Sequence, residues 1–397
     1  MKKRPIEGLY YITHIDNLAS ILRYGVFSHQ QIEKQRVSFT PVYASSIVAG
    51  RQERLTPDGK SLWDYANVYF QPRNPMLYRV LNEINRKDIV ILGISPQVLD
   101  IPSAFISAGN AASSLTPIYT IKKGLQVIYD ELWSIINNNW WAAEDGSKRK
   151  IMAECLIPNS IPPNLIHSVY VSSHPVAQKV RALVESSPLG VEVVPEPHVF
   201  FLPSRFFRVT EKLNLADGDL FFSQMQTLTI SVNTVGVMGK GLASRAKYQF
   251  PDVYVVYQDL CRRKALKMGK PYLYQRESSL DRELADEPFT LSETNANKWF
   301  LLFPTKRHWK EKSDIDGIEN GLKWVRDNYK SEGIQSLAIP ALGCGLGGLD
   351  WQDVGPLMCR YLSEMDLQVT IYLPQEKEVP SEFLASSFLL GKENRAG

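Results

Sequence analysis

The sequence predicts two domains of different class: an α+β domain built mostly of short strands, followed by an α/β domain. Three observations carry this. A chain of 397 residues is comfortable for two hydrophobic cores. The stretch "PEPHVFFLPSRFFRVTEKLNLADGDLF" reads as a boundary: two prolines precede an aromatic run, Pro203-Ser204 interrupts it, and a fresh strand pattern begins at Phe206–Val209. Beyond that boundary strands and helices alternate, whereas before it they do not. The expected spans are 1–207, 208–376 and a C-terminal tail, 377–397, where apolar periodicity fades.

In the first domain the strand candidates are "GLYYITH", "NVYFQP", "DIVILGIS", "KIMAECLI", "SVYVSS" and "VEVVPEPHVFF". Helical spacing is confined to "IDNLASILRYG", "NPMLYRVLNEINR" and "LQVIYDELWSIINNN". In the second, "LTISVNTV" reads as a buried strand and "KGLASRAKYQF" as a helix ended by Pro251. "KWFLLFPTK" is another strand. "SDIDGIENGLKWVRDNYKSEG" has an acidic start, apolar spacing at Ile315, Ile318, Leu322 and Val325, and a closing glycine, which are helix signals. A strand, "IQSLAIPALGCG", a helix, "WQDVGPLMCRYLSEM", and a final strand, "LQVTIYLP", complete the pattern.

Composition narrows the function classes. A hydrophobic content of 44% with 22% charged residues excludes disordered and fibrous chains. No apolar run approaches the length that spans a bilayer, so no membrane partner is expected. The N-terminus, "MKKRPIEGLYYITH", lacks the apolar core of a signal peptide. Four scattered cysteines without CxxC spacing imply no structural metal and a cytoplasmic location. Residues 1–208 carry 22 Lys and Arg against 17 Asp and Glu, the remainder 23 against 25. The basic excess of the first half suits a nucleic-acid substrate, although ordinary scatter explains it as well.

Two glycine loops carry the clearest chemistry. "NTVGVMGKGLASR" sets three glycines and a lysine between a strand and a helix, and "ALGCGLGGLDW" follows about a hundred residues later. A Walker loop requires GxxxxGK followed by Ser or Thr, but Gly241 follows Lys240 here. A dinucleotide fingerprint requires GxGxxG, and Gly236–Gly241 has other spacing. What remains is a phosphate held by backbone N–H groups at a helix N-terminus, or a turn with no ligand. In α/β sheets ligands sit at the carboxyl ends of strands, where both loops fall.

With "DGDLF" after the first strand, "VNTVGVMGKGLA" and "IPALGCGLGGLDW", residues 209–375 resemble a macrodomain, and "FPTKRHW" narrows the resemblance to the DarG type. The resemblance implies an α/β macrodomain that binds ADP-ribose. By it Asp219 holds the adenine, with Leu220 beside it. Asn233 and the loop of Val237, Met238, Gly239, Lys240 and Gly241 hold the distal ribose and nearby phosphate. Gly343, Cys344, Gly345, Leu346 and Gly347 wrap the diphosphate, and Thr234 and Thr305 join the same site. Lys306 is the catalytic residue that the DarG resemblance implies. A lysine attacks an anomeric carbon only when neutral, so desolvation or a neighbouring cation must lower its pKa. Arg307 is such a cation in sequence. Asp350 has two open readings, polarising the site or capping the next helix.

The first half is similar to DarT, the ADP-ribosyltransferases that modify DNA bases. The matching pieces are "LYYITHIDNLASILRYG", "GRQERLTP", "VYFQPRNPMLY", "FISAGNAAS" and "IMAECLI". The resemblance implies an α+β ADP-ribosyltransferase fold with NAD as co-substrate. Tyr11, Ile12, Thr13, His14, Asn17 and Leu22 would contact NAD together with Arg51; a core role for His14 stays open. Glu154 and Arg51 would be catalytic, the carboxylate stabilising positive charge built on the ribose as the nicotinamide bond breaks. A guanidinium is a poor proton acceptor, so Arg51 is expected to position rather than act as a base. Met76, Trp141, Lys148 and Arg149 would contact DNA, the tryptophan by stacking and the cations through phosphates. Tyr11 departs from the family, where histidine or arginine is frequent, as does Cys155, where an aromatic is usual.

Together the resemblances imply a fused toxin–antitoxin pair. The first domain writes ADP-ribose onto single-stranded DNA, with thymidine as the acceptor base. The second hydrolyses it off, and the two domains touch within the chain. Two rivals remain: a macrodomain that binds ADP-ribose and inhibits by contact without hydrolysis, and a transferase acting on RNA or protein.

Overall fold

The structure is a computed structural model that describes residues 5–43, 50–142, 144–185, 187–277, 284–286 and 298–391. The chain divides into two compact units. One comprises Met1–Phe201 with Asp281–Ser292, the other Leu202–Leu280 with Glu293–Gly397.

The strands of the first unit are β1 (Leu9–His14), β2 (Val26–Phe27), β3 (Tyr65–Tyr69), β4 (Ile89–Ile94) and β5 (Phe105–Ser107). They continue as β6 (Ile118–Thr120), β7 (Glu154–Pro158), β8 (Ser160–Ile161), β9 (Ile166–Val171) and β10 (Glu192–Pro195). Eight of them form one sheet in the order β10-β9-β4-β1-β3-β7-β5-β6, antiparallel except at β9–β10. Every residue of β4 is buried, as a continuous apolar run in a central strand should be. Register sets Tyr69 of β3 opposite Glu154 of β7, and Ser107 of β5 opposite the same glutamate. The helix Pro75–Glu83 starts where Asn74 accepts the Leu77 N–H and proline occupies the first turn, both strong start signals.

In the second unit β11 (Arg205–Arg208), β12 (Leu213–Asp217), β13 (Thr227–Asn233) and β14 (Tyr272–Tyr274) are followed by β15 (Trp299–Lys306), β16 (Ser336–Pro340) and β17 (Gln368–Tyr372). The sheet order is β11-β12-β17-β16-β13-β15-β14, parallel inside and antiparallel at both edges. Helix Ile315–Asn328 is capped by Asp314, which accepts the Gly317 N–H. Its Ile318, Leu322 and Val325 pack against Leu301 and Phe303 of β15, whereas Ile315, the first residue of the apolar spacing read from sequence, is exposed at the helix start.

Several expectations shift. The boundary expected at 207/208 falls inside β11; the division lies between Phe201 and Leu202. Residues expected as a separate tail join the second core through Val379, Leu384 and Leu389. The strand expected through "VEVVPEPHVFF" stops at Pro195, because prolines break the ladder, and a 3₁₀ turn, Pro197–Phe200, follows. The long helix "LQVIYDELWSIINNN" is interrupted by a π turn at Ile128–Leu132. No described helix is long and apolar enough to cross a membrane.

Candidate active sites

In the first unit Glu154 opens β7 with its carboxylate fully buried. It is held from two directions. Arg51 Nη1 and Nη2 each donate to Oε2 at 3.2 Å, and the backbone N–H of Ala111 donates to Oε1 at 2.8 Å. A buried carboxylate without such donors would be very costly, so this geometry fixes it in place. Burial alone would pull the Arg51 guanidinium down; Glu154 beside it more than offsets this and holds it above its ordinary value. The Tyr69 hydroxyl is pushed far up by burial and by the Glu154 charge.

A cavity of about 100 Å³ opens beside Arg51. Tyr11, Ile12, Thr13 and Asn17 border it from β1 and the turn after it, Arg51 from another side, and Met76 and Arg79 from helix Pro75–Glu83. Asn17 ties the wall together: its amide donates to Thr13 Oγ1 at 3.0 Å and to the Thr40 carbonyl at 2.8 Å. His29, stacked on Trp63, is lowered to about 4 by burial and by Arg51, so it stays neutral at ordinary pH.

Other expected residues stand elsewhere. Leu22 belongs to the apolar core, because it lies on the inner face of a helix packed under the sheet. His14 accepts the Asp16 N–H through Nδ1 and caps a short turn. Trp141 is 0% exposed, packed edge-on against Tyr78 and Phe201, and its indole N–H donates to the Leu284 carbonyl. In this conformation it has no free ring face on which a base could stack. Lys148 and Arg149 sit half-buried on Ser147–Lys150 and do not border the cavity; Arg149 donates to Thr116 Oγ1 at 3.1 Å. Sequence reading missed Tyr69, Arg79 and Asp286 on the cavity wall.

The second unit holds a wider cleft of about 930 Å³ at the carboxyl ends of β13, β15 and β16. Asn233 is its anchor. Its side chain donates to the Val237 carbonyl at 2.6 Å and accepts the Val235 N–H at 3.0 Å, folding the first glycine loop over itself. The buried Tyr257 hydroxyl donates to Asn233 Oδ1 at 2.8 Å and fixes the amide orientation. Gly241 starts the following helix with φ of +61°, a conformation open to glycine. In the second loop, a Cβ on Gly347 would stand 2.3 Å from Ser313 Oγ and 2.4 Å from the Gly343 carbonyl. Only glycine fits that approach.

Asp219 accepts the Phe221 N–H and pairs with Arg245 Nη1 at 2.6 Å, while the Arg245 guanidinium lies 4.8 Å over the Phe221 ring. Lys306 ends β15 opposite Asn233, where the register slips, and its Nζ donates to the Leu346 carbonyl at 3.3 Å. Desolvation lowers its pKa. The neighbouring cation expected from sequence is not the cause: Arg307 is 70% exposed and turns to Asp314 at 3.5 Å. Asp350 performs neither expected role, since its carboxylate pairs with Lys377 and makes no side-chain cap. Leu220, Thr305 and the glycines border the cleft, but three expected residues do not. Thr234 donates to the Arg307 carbonyl, Met238 is buried and the Cys344 thiol points to the Leu342 carbonyl. Among the described residues no group of His, Cys, Asp and Glu is arranged to hold a metal ion.

Residues 10–201 match the family described as DarT, ssDNA thymidine ADP-ribosyltransferase, and residues 286–358 match the Macro domain family. The chain is similar to a DNA ADP-ribosyl transferase–DNA ADP-ribosyl glycohydrolase fusion protein of Thermosipho africanus (strain H17ap60334). The two are 55% identical over 383 residues, 96% of this chain and 98% of that one. A DNA ADP-ribosyl glycohydrolase of Thermus aquaticus is 33% identical over 165 residues, 41% of this chain and 42% of that one. Among solved structures, Thermosipho africanus DarTG in complex with ADP-ribose superposes with a TM-score of 0.89 at 53% identity, covering 97% of this chain and 100% of that one.

Proposed function

Because the chain belongs to the family of fused DNA ADP-ribosyl transferase–DNA ADP-ribosyl glycohydrolase proteins, we propose that its first unit transfers ADP-ribose from NAD to thymidine in single-stranded DNA and that its second unit removes it. It is a toxin and its antitoxin in one polypeptide. NAD is a consumed substrate. The four cysteines are unpaired, which supports a reducing compartment, the cytoplasm.

The carrying observation is the buried Glu154 carboxylate fixed by Arg51 and by the Ala111 N–H. When the bond from nicotinamide to ribose breaks, nicotinamide leaves with the electron pair and the ribose becomes cationic. A carboxylate already desolvated and oriented stabilises that cation without reorganising. A nitrogen of the acceptor base then forms the new bond and gives up its proton to water. Arg51 stays charged throughout and acts by holding Glu154. In the second unit the backbone loops hold the diphosphate, Asp219 takes the adenine and Asn233 the distal ribose. Lys306, its amine made easier to deprotonate by desolvation, attacks the anomeric carbon. The base leaves with the glycosidic pair, takes a proton, and water releases ADP-ribose.

Expression in bacteria tests the pairing. Lys306→Ala is expected to be far more toxic than the parent, and adding Glu154→Ala is expected to abolish that toxicity. The two residues lie in different units, so their stability effects should nearly add. A harmless Lys306→Ala chain that, when purified, leaves DNA unmodified contradicts the reading.

A further inference from the structure

Leu284–Asp286 lies in sequence between β14 and β15 of the second unit, yet it groups with the first. Two polar contacts seat it there. The Trp141 indole donates to the Leu284 carbonyl at 3.0 Å, and Arg79 Nε donates to Asp286 Oδ1 at 2.8 Å. All three residues of the segment are covered: Leu284 is 2% exposed, Ala285 0%, and the Asp286 side chain 5%.

Arg79 is the unusual member. Its side chain is fully buried, and Nη1 donates to Glu83 at 2.7 Å. Among the described residues Nη2 has no hydrogen-bond partner. A guanidinium presents five N–H donors in a rigid fork that matches phosphate oxygens, and a buried donor left unmade is costly. Arg79 and Asp286 border the same cavity as Arg51 and Tyr69, and Tyr69 lies opposite Glu154 in the sheet. The segment therefore reaches the wall beside the reacting carboxylate.

We propose that Leu284–Asp286 is an internal occupant of the acceptor-strand site, its Asp286 carboxylate holding on Arg79 the place of a backbone phosphate of the incoming single strand. This rests on the transferase reading given above. A carboxylate and a phosphodiester each bring one negative charge, so exchanging them leaves the charge around Arg79 unchanged. The phosphate adds an oxygen within reach of the orphaned Nη2, which the carboxylate leaves unserved. Being tethered, the segment competes at a fixed effective concentration, and apparent DNA affinity falls with the fraction of chains in which the site is open.

The test is binding of the full-length chain to a fluorescent, thymidine-containing single-stranded oligonucleotide without NAD. Asp286→Asn is expected to tighten binding about tenfold, with a cooperative thermal unfolding transition as the check of folding. Combining it with Arg79→Gln is expected to remove the gain. In the parent chain, saturating oligonucleotide is expected to speed amide exchange in 284–286 and slow it in helix Pro75–Glu83. This second measurement decides the matter if Asp286→Asn does not fold. No gain in affinity with folding intact, or exchange in 284–286 that is slowed or unchanged, overturns the proposal. A variant that gains DNA affinity yet transfers nothing from NAD supports the internal occupant and refutes the transferase reading.

Discussion

The two cavities are built on opposite principles. The first, about 100 Å³, is walled by side chains, among them Arg51, whose guanidinium pairs with the buried Glu154. The second, about 930 Å³, is walled by glycine loops with one half-buried lysine at the end of a strand. The difference fits the work proposed for each site. Making the glycosidic bond passes through a ribose cation, which only a charge placed beforehand in a dry site can stabilise. Holding a diphosphate needs N–H donors that approach closely, and glycine backbone supplies them.

Breaking the first site should have the largest effect. Glu154→Gln keeps the shape and loses the charge; transfer to DNA should fall by roughly 10²–10³ or more, with NAD still bound. Equal loss of NAD binding, measured by calorimetry, would instead assign Glu154 a mainly structural role. Lys306→Ala should erase release of ADP-ribose from modified DNA while changing ADP-ribose affinity by less than about tenfold.

The pH profile sharpens the role of Lys306. With its neutral form as the proposed nucleophile, the removal rate should fall about tenfold for each pH unit below its pKa. The plateau should begin below the ordinary lysine value of about 10.4, because desolvation disfavours the charged form. A rate independent of pH from 6 to 10, as a rough range, would take the amine out of the bond-breaking step. Gly347→Ala should disturb only the second site. Its Cβ would meet the Gly343 carbonyl, overpacking costs about 1–3 kcal/mol, and ADP-ribose should bind about tenfold more weakly with transfer intact.

The smallest effect belongs to His29. Folded, it titrates at about 4 rather than 6.5. Between those values the unfolded chain binds a proton that the folded chain does not. Stability should therefore be full near pH 7 and decline as pH falls from about 6.5 towards about 4. His29→Asn should flatten that decline in acid denaturation curves.

How legible each site was follows from where its partners lie. Glu154 stood out as a glutamate inside an apolar strand, and Asn233 and the glycine loops stood out because turns concentrate their chemistry in a few neighbouring residues. Trp141 misled because its partner, Leu284, lies 143 residues away. Asp286 is 207 residues from Arg79, and nothing local announces the pair. Arg307 follows Lys306 directly, yet it lies past the end of β15, where the chain bends, and pairs with Asp314. The fold class was read from alternating elements, whereas the end of β10 was missed because the proline signal was given less weight than the apolar run.

The most direct measurement of the central claim follows labelled ADP-ribose from NAD onto a single-stranded oligonucleotide over time. The parent chain should show a low steady level, since what one site writes the other removes. Lys306→Ala should accumulate label on DNA until substrate is exhausted, and Glu154→Gln should show none. A Lys306→Ala chain that binds NAD but leaves the DNA unlabelled, or labels only RNA or protein, would contradict the account.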